Sequence, residues 1–320
     1  MNSYKTSIRH LVGVGVLISA MTLSASALDH MIVVGVDGLS PDGIAHAAVP
    51  HMKGIRERGS WTFHARAVMP TSSSPNWASM IMGAGPEQHG VTSNDWEPDK
   101  YDIAPTAKGP GGIFPTVFSV LREQRPGSIL AVYHDWPGFG RLLERKMVDV
   151  VENPSGPTNT MARAVECLRA KQPTLMFIHL DHVDHAGHEF GHGTEKYYEA
   201  VAAADYLIGK LIAALEKTGL RDRTILLVTA DHGGVGKHHG GATMAEIEIP
   251  WMIEGPGVLR GHEILPQMNT FDTAATIAYL FKVSPPSSWI GRPVRDALDV
   301  KTTTDCDGGA STKRRDQFEK

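Results

Sequence analysis

Three apolar runs in this chain each end on an aspartate. MIVVGVDG, from Met31, reaches Asp37; TLMFIHLD reaches Asp181; TILLVTADHGG reaches Asp231. Short, continuous runs rich in Val, Ile and Leu read as strands buried on both faces. SILAVY and EIPWMIEGPG add two more. Between them lie helical patterns: HMKGIRERG stopping at Gly59, Pro75 to Met82 with Pro75 near the first turn, TVFSVLREQ, TNTMARAVECLRAK, the long GTEKYYEAVAAADYLIGKLIAALEKTG and a last NTFDTAATIAYLF. Strands alternating with helices require an α/β fold, a mostly parallel central sheet with helices on both faces. Such sheets bind ligands beyond the carboxyl ends of their strands. Asp37, Asp181 or Asp184, and Asp231 are therefore expected to meet at one edge.

Imidazoles accompany those carboxylates. DHVDHAGHEFGH places Asp184 and His188 four residues apart, on one face of a helix or tight turn. ADHGG supplies Asp231 with His232, and KHHGG supplies His238 and His239. Mixed oxygen and nitrogen donors suit zinc, with manganese or iron as alternatives. A lone strand-end Asp is usually a turn or capping residue, and a lone His a hydrogen-bonded group. Several such groups at one sheet edge are costly without cations to pair them.

The chain has 320 residues and a net charge of −4, with no Lys/Arg block outside the tail, so no nucleic-acid-binding surface is evident. Lys5 and Arg9, the apolar stretch Leu11 to Leu23 and Ala25-Ser26-Ala27 read as a signal peptide over 1–27, cut after Ala27. The stretch is short for a membrane span. The protein is expected to be secreted or periplasmic, with a single hydrolase domain over 28–300 and a polar, disordered tail over 301–320. Cys167 and Cys306 make no disulfide framework. Residues 95–115 read as a long surface loop that shapes a pocket. Oligomeric state is not legible.

The motifs together resemble the alkaline phosphatase superfamily, and within it the nucleotide pyrophosphatase/phosphodiesterase family. The resemblance rests on GVDG at Asp37, PTSSSPN at Pro70–Asn76, GAGPEQHGVTSN at Gly83–Asn94, DHAGH at Asp184–His188, ADHG at Asp231–Gly234, and HHGG before IPWMIEGPG. It implies an alkaline-phosphatase-like fold and a two-metal phosphoesterase. Asp37, Asp231 and His232 would hold one divalent ion; Asp184, His188 and His239 would hold the other. His239 is preferred to His238 because the family's His directly precedes Gly. Ser73 would be the nucleophile, itself a ligand of the metal, and Asn94 would hold a phosphate oxygen together with the Ser74 N–H.

Physical chemistry agrees with Ser73. A helix N-terminus favours anionic oxygen, and a dication lowers the pKa of a coordinated hydroxyl. Ser74 can cap the helix while Ser73 attacks. Trp77 and Trp96 are candidates to stack on a flat group of the substrate. Without an obvious Arg at the motifs, the reading leans to a phosphodiester or pyrophosphate bond of a nucleotide-like small molecule, cleaved through a phosphoseryl intermediate. The alternatives are a phosphomonoesterase of the same superfamily, a sulfatase, or a non-catalytic metal-stabilised binder. A sulfatase needs C/S-x-P-x-R, and Trp77 stands where that Arg belongs.

Overall fold

The computed structural model describes residues 28–299; the signal segment predicted for 1–27 and the tail predicted for 301–320 lie outside the described residues. Eight strands form one sheet: β1 (His30–Val36), β2 (Ser60–Arg66), β3 (Leu130–His134), β4 (Val150–Glu152), β5 (Leu175–Leu180), β6 (Thr224–Thr229), β7 (Glu248–Glu254) and β8 (His262–Glu263). Their order is β4-β3-β5-β1-β6-β7-β2-β8. All neighbours pair parallel except β7, which runs against both β6 and β2. Every residue of β1, β5 and β6 is buried, as strands covered on both faces must be.

Ten helices are described: α1 (Pro41–His46), α2 (Pro50–Arg58), α3 (Ser73–Met82), α4 (Pro86–His89), α5 (Val117–Gln124), α6 (Pro157–Lys171), α7 (His182–Phe190), α8 (Glu195–Thr218), α9 (Met244–Ile247) and α10 (Asp272–Leu280). One group packs around α8, which touches α1, α2, α6 and α7; another packs around α3, which touches α4, α5 and α10. The strands β5, β1 and β6 lie side by side at the centre. From β1 the chain departs toward β2 on one side and later returns through β5 on the other. Their carboxyl ends flank a topological switch point, where open α/β sheets place ligands.

The sequence reading did not anticipate β2. Its segment SWTFHAR buries Ser60, Thr62 and Ala65 and leaves Trp61 and Phe63 half-buried, with the Arg56 guanidinium 5.0 Å from the Trp61 ring. Small and polar residues take the buried positions and the aromatics the partly exposed ones, with a register shift between Thr62 and Ala65, so the period-2 signal is inverted in polarity. Another long-range feature concerns α2. Its N-cap, Val49, offers no side-chain acceptor. Asp205 of α8 fills that role across the fold, accepting from His51 N at 3.1 Å and Met52 N at 2.7 Å. Asp205→Ala should therefore destabilise the protein by about 1–2 kcal/mol in urea unfolding, the usual cost of a lost cap. A change below a few tenths would show that water replaces the carboxylate.

Candidate active site

The chain turns out of β1 directly into Asp37 and out of β6 into Ala230, Asp231 and His232; α7 begins just past β5 and carries Asp184 and His188 on one face. His239 arrives on the loop before α9. Asp37, Asp231 and His232 are fully buried, while the His188 side chain is 44 % exposed. One end of the cluster is thus sealed and the other meets solvent.

All three imidazoles are held in the same way. Nδ1 of His188 faces Lys237 O at 2.9 Å, that of His232 faces Gly233 O at 2.8 Å, and that of His239 faces Thr71 O at 3.0 Å. A carbonyl accepts only from N–H, so Nδ1 carries the proton and Nε2 points inward. There, His188 Nε2 lies 3.1 Å from Asp184 Oδ2 and 3.1 Å from His239 Nε2. His232 Nε2 lies 3.2 Å from Asp231 Oδ2 and 3.5 Å from Asp37 Oδ1. Two ring nitrogens 3.1 Å apart need a positive charge between them, a proton or a metal ion.

Burial, and then the charges of Asp231 and Asp184, push the Asp37 carboxyl well above its ordinary value; burial and Asp184 do the same to Asp231. Burial works against the Asp184 anion as well, but the His188 hydrogen bond and the neighbouring imidazoles outweigh it and hold that group at about 2. The same bond pushes His188 up to about 9. Burial, and then His232, push His239 down to about 4.

Does this donor set fit divalent cations? Asp37 Oδ1, Asp184 Oδ1 and Asp231 Oδ2 are buried oxygens with no hydrogen-bond partner among the described residues. Donor atoms of Asp184, His188 and His239 lie within 4.8 Å of one another, and so do those of Asp37, Asp184 and His232. Unpartnered carboxylate oxygens beside inward ring nitrogens fit a pair of divalent ions.

Ser73 is the first residue of α3, so the helix starts two residues before the predicted Pro75. Its Oγ lies 3.3 Å from His232 Nε2. Ser72 occupies the N-cap but its side chain makes no capping bond, and Ser74 Oγ is buried without a partner. The expectation of a capping Ser74 is thus corrected. Asn76, inside the helix, instead pins the segment that leads into it. Its Oδ1 accepts from Val68 N at 2.7 Å, and its Nδ2 lies within 3.2 Å of Val68 O, Pro70 O and Ser72 O. Thr71 ties this loop to the His239 loop: its Oγ1 donates to Gly241 O at 2.7 Å and accepts from Gly240 N at 3.0 Å. Neither role left a local signal in the sequence.

Asn94 stands beside Ser74. The Ser74 N–H donates to Asn94 Oδ1 at 2.8 Å, so it is not free to hold a substrate oxygen as expected. With Oδ1 holding that amide, Nδ2 is the group of the Asn94 side chain left to donate. Arg141 braces the Asn94 main chain, donating to Asn94 O at 2.7 Å and to Glu97 Oε1 at 2.8 Å. The two tryptophans do not offer faces to a ligand. Trp77 is fully buried and donates to Asp37 Oδ2 at 2.9 Å; Trp96, 5 % exposed, packs in the core. His238 is exposed, and His192 lies with Nε2 4.0 Å from Asp184 Oδ1.

The strand order and the cluster at its carboxyl edge define an alkaline-phosphatase-like α/β fold. Murine ectonucleotide pyrophosphatase/phosphodiesterase 5, solved as an inactive variant with AMP, superposes with a TM-score of 0.71 at 17 % identity, over 85 % of this chain and all of that one. A variant of the alkaline phosphatase PafA gives 0.71 at 12 % identity, over 86 % and all of that chain. At these identities the likeness concerns the fold. The family model of type I phosphodiesterase/nucleotide pyrophosphatase matches residues 31–109 and 128–241, more than half of the chain, and the chain belongs to that family. Rat ectonucleotide pyrophosphatase/phosphodiesterase family member 1 is 26 % identical over 199 residues, 58 % of this chain and 21 % of the relative. Mouse bis(5'-adenosyl)-triphosphatase enpp4 is 25 % identical over 223 residues, 66 % of this chain and 48 % of the relative. The chain thus spans less than half the length of these curated relatives.

Proposed function

We propose that this protein is an exported phosphoesterase that cleaves a phosphodiester or pyrophosphate bond in a nucleotide-like molecule through a phosphoseryl intermediate. The observation that carries the reading is the Ser73 hydroxyl at the tip of α3, 3.3 Å from His232 Nε2 in a nest of inward imidazoles and buried carboxylates. Asp37, Asp231, His232 and Ser73 Oγ would hold one divalent ion and Asp184, His188 and His239 the other, with zinc favoured by the mixed donors. Bound there, such ions supply the positive charge that lowers the hydroxyl pKa and offsets charge at phosphorus.

The chain's own groups do the rest. Ser73 Oγ attacks phosphorus, an Oγ–P bond forms, and the bond to the leaving oxygen breaks on the opposite side. Water then cleaves the Oγ–P bond and regenerates the serine. Asn94 Nδ2 donates to a non-bridging oxygen where charge develops. Arg141 is paired with Glu97 and Asn94 O, so it brings no free cation to a second phosphate charge; this favours a diester over a monoester. Trp77, where a sulfatase needs Arg, is buried and committed to Asp37.

Purified protein should hydrolyse bis-p-nitrophenyl phosphate and thymidine 5'-monophosphate p-nitrophenyl ester faster than p-nitrophenyl phosphate, and lose all three activities to a chelator. A faster monoester would replace the reading with a phosphomonoesterase, and no turnover with metal bound would leave a binder. Asn94→Ala should lower kcat by about 10²-fold, as for a lost oxyanion donor. Asn94→Asp, which keeps the acceptor for Ser74 N–H, should be no better; a wild-type rate in either would exclude the donor role. Export rests on residues 1–27; N-terminal sequencing of secreted or periplasmic protein should begin at Leu28.

A further inference from the structure

Asp37 has two carboxylate oxygens in different surroundings. Oδ2 accepts from Trp77 Nε1 at 2.9 Å and faces His179 Nε2 at 3.1 Å; Oδ1 has no hydrogen-bond partner and lies 3.5 Å from His232 Nε2. All four side chains are fully buried. His179 Nδ1 has no partner. A buried orphan N–H is rarer than an orphan lone pair, so the His179 proton sits on Nε2 and is donated to Asp37. Two N–H groups then occupy both lone pairs of Oδ2.

The setting is built for this. Gly35 is the β1 partner of His179 in the parallel ladder. A Cβ at Gly35 would lie 2.5 Å from Trp77 Cη2, so only glycine lets the indole lie across the strand. Phe139, Phe177 and His179 meet the Trp77 ring at angles of 64°, 89° and 74°. Trp77 also follows Ser73 by four residues on α3, one turn along the same face.

We infer that Trp77 and His179 are positioning residues that make Asp37 a one-oxygen metal ligand, and that Trp77 couples this setting to the nucleophile through α3. The inference rests on the two-cation reading above. It also decides a competing arrangement. Donor atoms of Asp37, His179 and Asp181 lie within 4.8 Å of one another, the outline of a third cation site. With Oδ2 saturated by N–H donors, Asp37 has no oxygen left to offer a further ion at that trio.

The test is zinc titration of the full chain against a chromophoric chelator. Trp77→Phe keeps a ring and removes the donor; His179→Leu removes the other; His179→Gln retains an N–H of similar reach. Trp77→Phe and His179→Leu should each weaken one of two zinc sites by about 10–100-fold and leave the second unchanged, with His179→Gln restoring most of the loss. Melting of the chelator-treated proteins separates binding from folding damage, and Trp77→Phe, which keeps a ring in the same packing, carries the test if His179→Leu does not fold. Wild type binding two ions with all variants equal to it would overturn the inference and leave the proposed function standing. Wild type binding no zinc would sink both. Three ions in wild type and two in His179→Leu would establish the third cation site instead.

Discussion

Ser73→Ala should reduce phosphodiester hydrolysis by at least about 10⁴-fold, the scale of losing a covalent nucleophile. The loss should fall on kcat. Zinc content should stay at two ions per chain, because six other donors remain, and folding should change by no more than about 1 kcal/mol, one hydrogen bond's worth. Neighbouring hydroxyls cannot take over. Ser74 Oγ is buried without a partner, and Ser72 lies toward Gly240 on the His239 loop. Mass spectrometry of acid-quenched wild-type enzyme should find a phosphoryl group on Ser73 and none in the variant. Full activity in Ser73→Ala would remove the assignment, and so would label on another serine.

Chelation should produce the second large effect. Asp37, Asp184 and Asp231 place three buried carboxylates together, two of them pushed well above their ordinary pKa by burial and mutual repulsion. Cations that bind only the folded state add about 4 kcal/mol per site when free metal is a thousandfold above Kd. Removing them should lower Tm by about 10 °C or more and abolish turnover, with zinc restoring both. His239→Ala should retain one ion per chain with the melting point partly lowered. Two ions in that variant would shift the ligand role to another imidazole, and His238, exposed on the same loop, would be tested next. A melting point indifferent to chelation would show that the cluster holds no cation in the folded protein.

Much of the site was legible because its signals are local. Apolar runs with an aspartate at the end announce buried strands of a parallel sheet, and β1, β5 and β6 prove adjacent, so Asp37, Asp184 and Asp231 share one edge. The spacing of Asp184 and His188 needs only a helix turn. The preference for His239 came from a resemblance, and the structure places its Nε2 3.1 Å from that of His188. Less was legible wherever a side chain serves a distant partner. The aromatic Trp77 looked like a stacking surface, yet its polar atom serves Asp37, 40 residues away. Ser74 looked like a cap, yet its N–H orients Asn94. Nothing about Asp205 suggested that it caps α2, over 150 residues earlier in the chain.

The sequence by itself determined the central strands β1, β5 and β6, their shared polarity and the kinds of donor atom delivered at their carboxyl ends, because hydrophobic periodicity and strand-end chemistry act over a few residues. Tertiary structure alone decided which ring nitrogens turn inward, which oxygen of Asp37 is left open, and which amides hold Asn94 and Asn76 in place. Those outcomes depend on strand register and on hydrogen bonds between remote segments, such as His179 to Asp37 across 142 residues, which exist only once the sheet has assembled.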